Sequence, residues 1–136
     1  MPEPVWMEEA DAVVAHDLQL AAHGGAEGVR DAGMLDSALA RPKNLPAYAD
    51  SPPSLCALAA DYAYGIRSNH PFVDGNKRTA LLVSFAYLEV NGLEVNASQE
   101  EAYLTFLALA AGEISEEQLG RWFELKTQAI APLIGS

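Results

Sequence analysis

An internal disulfide is closed to this chain: its single cysteine, Cys56, has no partner within it, and there is no thiolate cluster for a metal. Cys56 lies in the apolar run SLCALAADYAYGI, where a thiol acts as buried filler and a reducing cytoplasm suits it. Positive charge is also scarce. Eight Lys and Arg face nineteen Asp and Glu, which gives a net charge of -11 and a pI near 4.5. A broad nucleic-acid-binding face needs cations in number, and no compact basic recognition helix is present, so direct DNA binding is disfavoured. No uninterrupted apolar segment reaches membrane-spanning length, and the opening MPEPVWMEE carries acids where an export signal carries cations. Internal repeats and low-complexity tracts are missing as well. What remains is a folded protein without a membrane segment. Half its residues are apolar and 20% are charged, at a length that suits one domain over residues 1–136 with one core.

The patterning is helical throughout. PVWMEEADAVVAHDLQLAAHGG reads as a first helix that Gly24-Gly25 ends, with Val13, Val14, Leu18 and Ala21 as its core-facing stripe. MLDSALARP follows a turn at Asp31-Ala32-Gly33 and is expected to stop before Pro42. Lys43 to Pro53 is a proline-rich loop, and within it Leu45 and Tyr48 are candidates for contact with a substrate or partner. Ser54 to about Ser68 carries Leu55, Leu58, Ala59, Tyr62 and Ile66 at helical spacing. From about Lys77 to Val90, KRTALLVSFAYLEV is apolar nearly all round, as a central buried helix should be, and Asn91-Gly92 stops it. GLEVN is extended. Ser98 with Glu101, and Ser115 with Gln118, have capping-box spacing and open AYLTFLALAAG and LGRWFELKTQ. Ala131 to Ser136 is expected to fray. The fold class is all-α, with about five to seven helices around one buried helix.

The segment HPFVDGNKRTA, His70 to Ala80, concentrates the chemistry. Pro71 disfavours an α conformation at His70, and Asp74-Gly75-Asn76 has strong turn propensity. The helix that follows aims its first free N–H groups into the turn, which favours phosphate or another anion. Lys77 and Arg78 stand at that same helix mouth. There they oppose the helix dipole by about 0.3–1 kcal/mol each unless an anion or a surface acid answers them. Asp74 either caps the helix or holds Mg²⁺ beside phosphate oxygens, and His70 is either a general base or a structural residue. Phe72 anchors the loop in the core. The composition suits phosphoryl or nucleotidyl transfer, and it is not a P-loop, since GxxxxGK[ST] is absent. His16 and His23 lack a metal-ligand pattern and read as structural or surface residues, while Trp6 and Trp122 read as core or cap residues. Arg67 either touches the motif's anions or forms a salt bridge, and Asn69 supports the loop.

His70-x-Phe72-x-Asp74-Gly75-Asn76-Lys77-Arg78 closely resembles the core motif of the Fic/Doc (Fido) superfamily, in its death-on-curing branch. The resemblance continues through ALLVSFAYLEVNG and reaches back to GVRDAGMLDSALARP, so it covers nearly the whole chain. It implies a Doc-like domain whose active-site loop, 70–78, leads into the central helix. The implied general base is His70, acting on a target hydroxyl, and the implied Mg²⁺ ligand is Asp74. Gly75 and Asn76 would hold the phosphate-binding loop, Lys77 and Arg78 would contact ATP phosphates, and Phe72 would be the anchor.

Two departures bear on the chemistry. AMP-transferring members usually have a second Gly where this chain has Lys77, and a second Arg where it has Leu81. In the death-on-curing branch ATP lies in the reversed sense, with its γ-phosphate in line. The implied activity is that of a type II toxin–antitoxin toxin: ATP- and Mg²⁺-dependent phosphorylation of a Thr hydroxyl on elongation factor Tu, which blocks translation. The implied regulator is a cognate antitoxin whose C-terminal segment covers the active-site groove and whose other domain binds DNA, so that DNA is met only indirectly. An acidic surface suits a basic antitoxin segment. No [ST]xxxE[GN] inhibitory motif is visible, so inhibition in trans is expected. Two other functions compete: a protein AMP or nucleotidyl transferase of the same fold, and a catalytically idle Fido domain with a regulatory binding role. The complete motif counts against the second.

Overall fold

The computed structural model describes residues 3–45 and 53–130, and Tyr48 and the Ala131–Ser136 tail lie outside them. The described chain is all-α apart from one small two-stranded sheet, with six helices: α1 (Glu9–His23), α2 (Ala32–Asn44), α3 (Leu55–Asn69), α4 (Asn76–Val90), α5 (Gln99–Ala110) and α6 (Glu116–Lys126). The strands β1 (Leu93–Val95) and β2 (Thr127–Ala129) pair antiparallel, Leu93 opposite Ala129 and Val95 opposite Thr127.

Short polar side chains start four of these helices. Asp31, Ser54, Ser98 and Ser115 each accept a hydrogen bond from the backbone N–H three residues on, at 3.0–3.1 Å, satisfying donors that a helix start leaves open. At Ser115 the box is complete, because its own N–H donates to Gln118 Oε1 at 2.7 Å.

The structure departs from the sequence reading at several places. Asp31 is a cap, so Ala32 and Gly33 already belong to α2. That helix does not stop before Pro42. Proline forfeits only its own N–H bond, here in the last turn, while the Leu45 N–H still reaches Arg41 O and the Pro42 ring is buried. The hub is α3 rather than α4: nine of its residues are buried, against six in α4. Small residues on several sides of α3 explain this. A Cβ on Gly65 would come within 3.3 Å of the Ala38 backbone in α2, and on the α6 side Gly120 sits over Ala57 and Ala60. Finally, α6 ends at Lys126, since Thr127 turns extended and enters β2.

Helix α1 buries Ala12, Ala15, His16 and Gln19, while Val14 and Leu18 are 57% and 61% exposed. The expected stripe of Val13, Val14, Leu18 and Ala21 therefore does not face the core. The inner face of α1 is half polar because it meets a polar loop.

The core holds Phe85, Phe106 and Phe123 edge to face, with centroids 5.9–6.2 Å apart. Tyr62 and Tyr87 pack at 4.9 Å, and Tyr62 Oη accepts the Met7 N–H at 3.0 Å. Cys56 is buried, as its apolar run implied. Trp6 and Trp122 are half-buried against this core. No described helix is long and apolar enough to cross a membrane.

One charged cluster ties three helices together. Asp61 of α3 is fully buried and accepts from Arg41 Nε of α2 at 2.5 Å, and Arg41 Nη2 reaches Glu116 Oε1 of α6 at 2.9 Å. Asp61 Oδ2 has no partner. Burial first, then the charge of Asp61, push the Glu116 carboxyl up from its ordinary value to about 7, against the opposite pull of Arg41.

A carboxyl raised in the folded state favours its protonated form. Its contribution to stability is present below pH 4.5 and is lost as pH rises through about 7. Glu116→Gln keeps a neutral group there at every pH. Relative to the unmodified protein it should gain stability between pH 5 and pH 8, by about 1–2 kcal/mol after allowance for partial exposure. Denaturant melts at both pH values measure this, and a difference that does not change with pH refutes it.

Candidate active site

The loop 70–76 joins the end of α3 to the start of α4, and side chains from both flanks pin it. His70 caps α3 in the left-handed conformation, φ 46 and ψ 54, with its N–H on Ile66 O at 3.1 Å. It escapes the right-handed region that Pro71 disfavours, and its imidazole is exposed without a hydrogen bond among the described residues. Arg30 clamps this end: its Nε donates to His70 O at 2.7 Å and its Nη2 to Asn69 O at 2.9 Å. Asn69 in turn donates to Met34 O. The 28–31 segment runs beside the loop, with Val29 bridged to Phe72, the Val73 N–H on Gly28 O, and the Arg30 and Asp31 N–H groups on Pro71 O.

Phe72 is buried, as expected of an anchor. Asn76 binds its backbone twice, accepting the Phe72 N–H and donating to Phe72 O, each at 3.0 Å. Asp74 does not cap the first turn of α4. Its Oδ1 accepts the adjacent Gly75 N–H at 2.8 Å, and its Oδ2 has only a longer 3.3 Å contact with the Ala26 N–H. The cap position falls to Gly75, φ 75, which has no side chain to offer, and the first turn contains no acid. The mouth of α4 thus keeps its N–H groups turned toward the loop without a side-chain acceptor.

Lys77 and Arg78 have no acidic partner among the described residues. They do not, however, face the same way. Arg78 lies over the Tyr103 ring at 5.2 Å and lines a cavity of about 580 Å³ between α1, α4 and α5, with Gln19, Leu81 and Phe85. Lys77 faces a separate hollow beside the end of α5. Successive helical residues point about 100° apart, so adjacency in sequence does not make them a pair. Arg67 is elsewhere, donating to Ala110 O at 2.7 Å at the end of α5.

Three residues outside the motif matter to its geometry. Arg30 is one. His16 and Gln19, one turn apart on α1, are the others: His16 Nε2 lies 2.8 Å from Asp74 O and its ring stacks on Phe72 at 4.1 Å, while both polar atoms of the buried Gln19 amide lack a partner beside Gly75. Their only trace in the sequence is a pair of polar residues at helical spacing inside an alanine-rich stretch.

No group of three or more His, Cys, Asp or Glu side chains is placed to hold a metal among the described residues. A cation at Asp74 would need most of its oxygen ligands from phosphate and water, a donor set that fits Mg²⁺ and not a protein-caged metal.

The sequence model of the Fic/DOC family matches residues 6–88, a span that includes the whole loop and nearly all of α4. Toxin Doc of Mycolicibacterium smegmatis is 37% identical over 92 residues, which cover 68% of each chain. Protein kinase doc of Escherichia phage P1 is 34% identical over 105 residues, 77% of this chain and 82% of that one.

Gly75 is doubly constrained, since its φ is left-handed and a Cβ built on it would overlap the Gln19 amide. Gly75→Ala should destabilise the protein by about 2–4 kcal/mol, and by about 1–2 kcal/mol in a Gln19→Ala background, where only the backbone cost remains. A double-mutant cycle by chemical denaturation measures the difference, and equal costs in both backgrounds refute the packing argument.

Proposed function

The chain belongs to the Fic/DOC family, and from that premise we propose that it is a Doc-like toxin which transfers the γ-phosphate of ATP to a threonine hydroxyl of a protein, elongation factor Tu. The observation that carries the reading is the mouth of α4, with free helix N–H groups, no acid in the first turn, and Lys77 and Arg78 without acidic partners among the described residues. Cations at a helix N-terminus without an acidic partner among the described residues leave room for a polyanion.

Placement supports the following roles. His70 presents an exposed imidazole and takes the proton of the attacking hydroxyl as that oxygen bonds to phosphorus and ADP departs. Gly75 and Asn76 keep the loop backbone in position, and Arg78, with Lys77 on the neighbouring face, balances phosphate charge. Asp74 would hold Mg²⁺, which when bound would supply neutralisation of phosphate charge.

Leu81 supports the choice of γ- over α-phosphate. It lies one turn beyond Arg78 on the same cavity wall, so a further cation is missing from the surface that holds Arg78. The phage P1 relative, named a protein kinase, agrees with this, and the mycobacterial relative's name agrees with a toxin. In this reading a cognate antitoxin covers the groove in trans, DNA is contacted only through that antitoxin, and the site of action is the cytoplasm. Transfer of AMP from the α-phosphate is the second reading.

The test uses purified elongation factor Tu, Mg²⁺ and ATP labelled at either phosphate. Label should arrive from the γ-position alone, and His70→Asn should reduce transfer by about 10²–10⁴-fold. Asparagine is chosen because it tolerates the left-handed backbone at this position. The melting temperature should barely move, because the imidazole makes no buried contact. Arrival of α-label, or unchanged transfer by His70→Asn, refutes the proposal.

A further inference from the structure

Helix α1 buries two polar side chains, His16 and Gln19, each 2% exposed; His16 reaches the carbonyl of the Asp74–Gly75 peptide, and Gln19 lies against Gly75. A peptide unit is planar and trans, so its C=O and N–H point in opposite directions and turn together. Here the carbonyl of Asp74 is 2.8 Å from His16 Nε2, and the N–H of Gly75 donates to Asp74 Oδ1 at 2.8 Å. A carbonyl oxygen can only accept, so His16 Nε2 carries the proton. The imidazole plane is set by Phe72, stacked 4.1 Å away and 8° from parallel. Phe72 is in turn held at both backbone polar groups by Asn76. The Gln19 amide fills the space beside the Gly75 Cα.

We infer that His16 is a positioning residue for Asp74: by holding the carbonyl of the 74–75 peptide, it aims the Gly75 N–H at Oδ1 and so fixes where the exposed carboxylate stands. Without that donor the peptide loses the hydrogen bond that sets its rotation, the Gly75 N–H is no longer held toward Oδ1, and Oδ2 retains only its 3.3 Å contact with the Ala26 N–H. The effect on Mg²⁺ rests on the role proposed for Asp74, whereas the effect on the peptide does not.

Two variants separate the contributions. His16→Phe keeps an aromatic ring to stack on Phe72 and removes the donor. His16→Gln keeps an N–H at similar reach and removes the ring. In the full-length protein, nitrogen NMR of the His16 ring should show a proton on Nε2. Exchange of the Gly75 amide should be at least about tenfold faster in His16→Phe. The Mg²⁺ concentration that half-supports ATP binding, followed by calorimetry, should rise about 10–100-fold, the range typical when the partner of a metal ligand is removed. His16→Gln should lie nearer the unmodified protein in both readouts.

An unprotonated Nε2 in the unmodified protein overturns the inference, and that measurement needs no variant. A folded His16→Phe with unchanged Gly75 exchange and unchanged Mg²⁺ demand overturns it too. If His16→Phe does not fold, the ring nitrogen and His16→Gln decide the matter, and Gly75 exchange in His16→Gln as fast as in an Asp74→Ala control overturns the inference. Transfer of α-label by the unmodified protein would remove the kinase reading and leave these readouts in force.

Discussion

The backbone of Phe72 is held at its N–H and its C=O by a single side chain, that of Asn76, while its ring is sealed in the core. Almost everything at the site depends on this closure. It folds five residues into a ring-like turn, brings the end of α3 to the start of α4, and leaves His70 on one side and the α4 mouth on the other. A primary amide can both accept and donate, so asparagine can satisfy both backbone groups of one residue. Aspartate in that place lacks the donor.

Around this turn the molecule separates two tasks. The hub helix α3 does the packing, with small residues that let α2 and α6 approach closely. The inner face of α1 divides its work: Ala12 and Ala15 join the core, while His16 and Gln19 support the loop. This division explains why α1 carries buried polar groups and exposed Val14 and Leu18. Leu18 also lines the cavity in which Arg78 lies, so its exposure belongs to the rim of a concave surface. The Arg41–Asp61–Glu116 cluster serves the packing side only. It locks the three helices together at the cost of an unanswered carboxylate oxygen.

What could be read from the sequence was whatever local chemistry decides. The helix starts at Ser54, Ser98 and Ser115 were legible because a cap is a relation across three residues. The loop from His70 to Arg78 was legible because its turn, its helix start and its cations are contiguous. Relations across distance were not. His16 and Asp74 are 58 residues apart, and no local pattern couples them. Arg30 and His70 are 40 apart. The α1 stripe misled because amphipathicity assumes an apolar neighbour, and here the neighbour is a polar turn. Pro42 misled because the cost of a proline depends on how many helical bonds still follow it, and at the last turn few do. Strand β2 was hidden because Thr127 to Ala129 continues a helical pattern, and only β1, more than thirty residues earlier, gives it a partner.

The far end of α4 gathers what is most distant along the chain. Asn91 accepts the Val5 N–H and donates to Val5 O, and the Ile130 N–H meets Gly92 O. Residues 5 and 130 are thus fastened at the same corner, about 22 Å along a helix of 15 residues from the loop at its other end. A pull applied between them would load the Asn91–Gly92 corner and the short β-ladder first, while the Phe72–Asn76 turn would bear no tension until that corner tore. That corner lies at the opposite end of α4 from the Phe72–Asn76 turn.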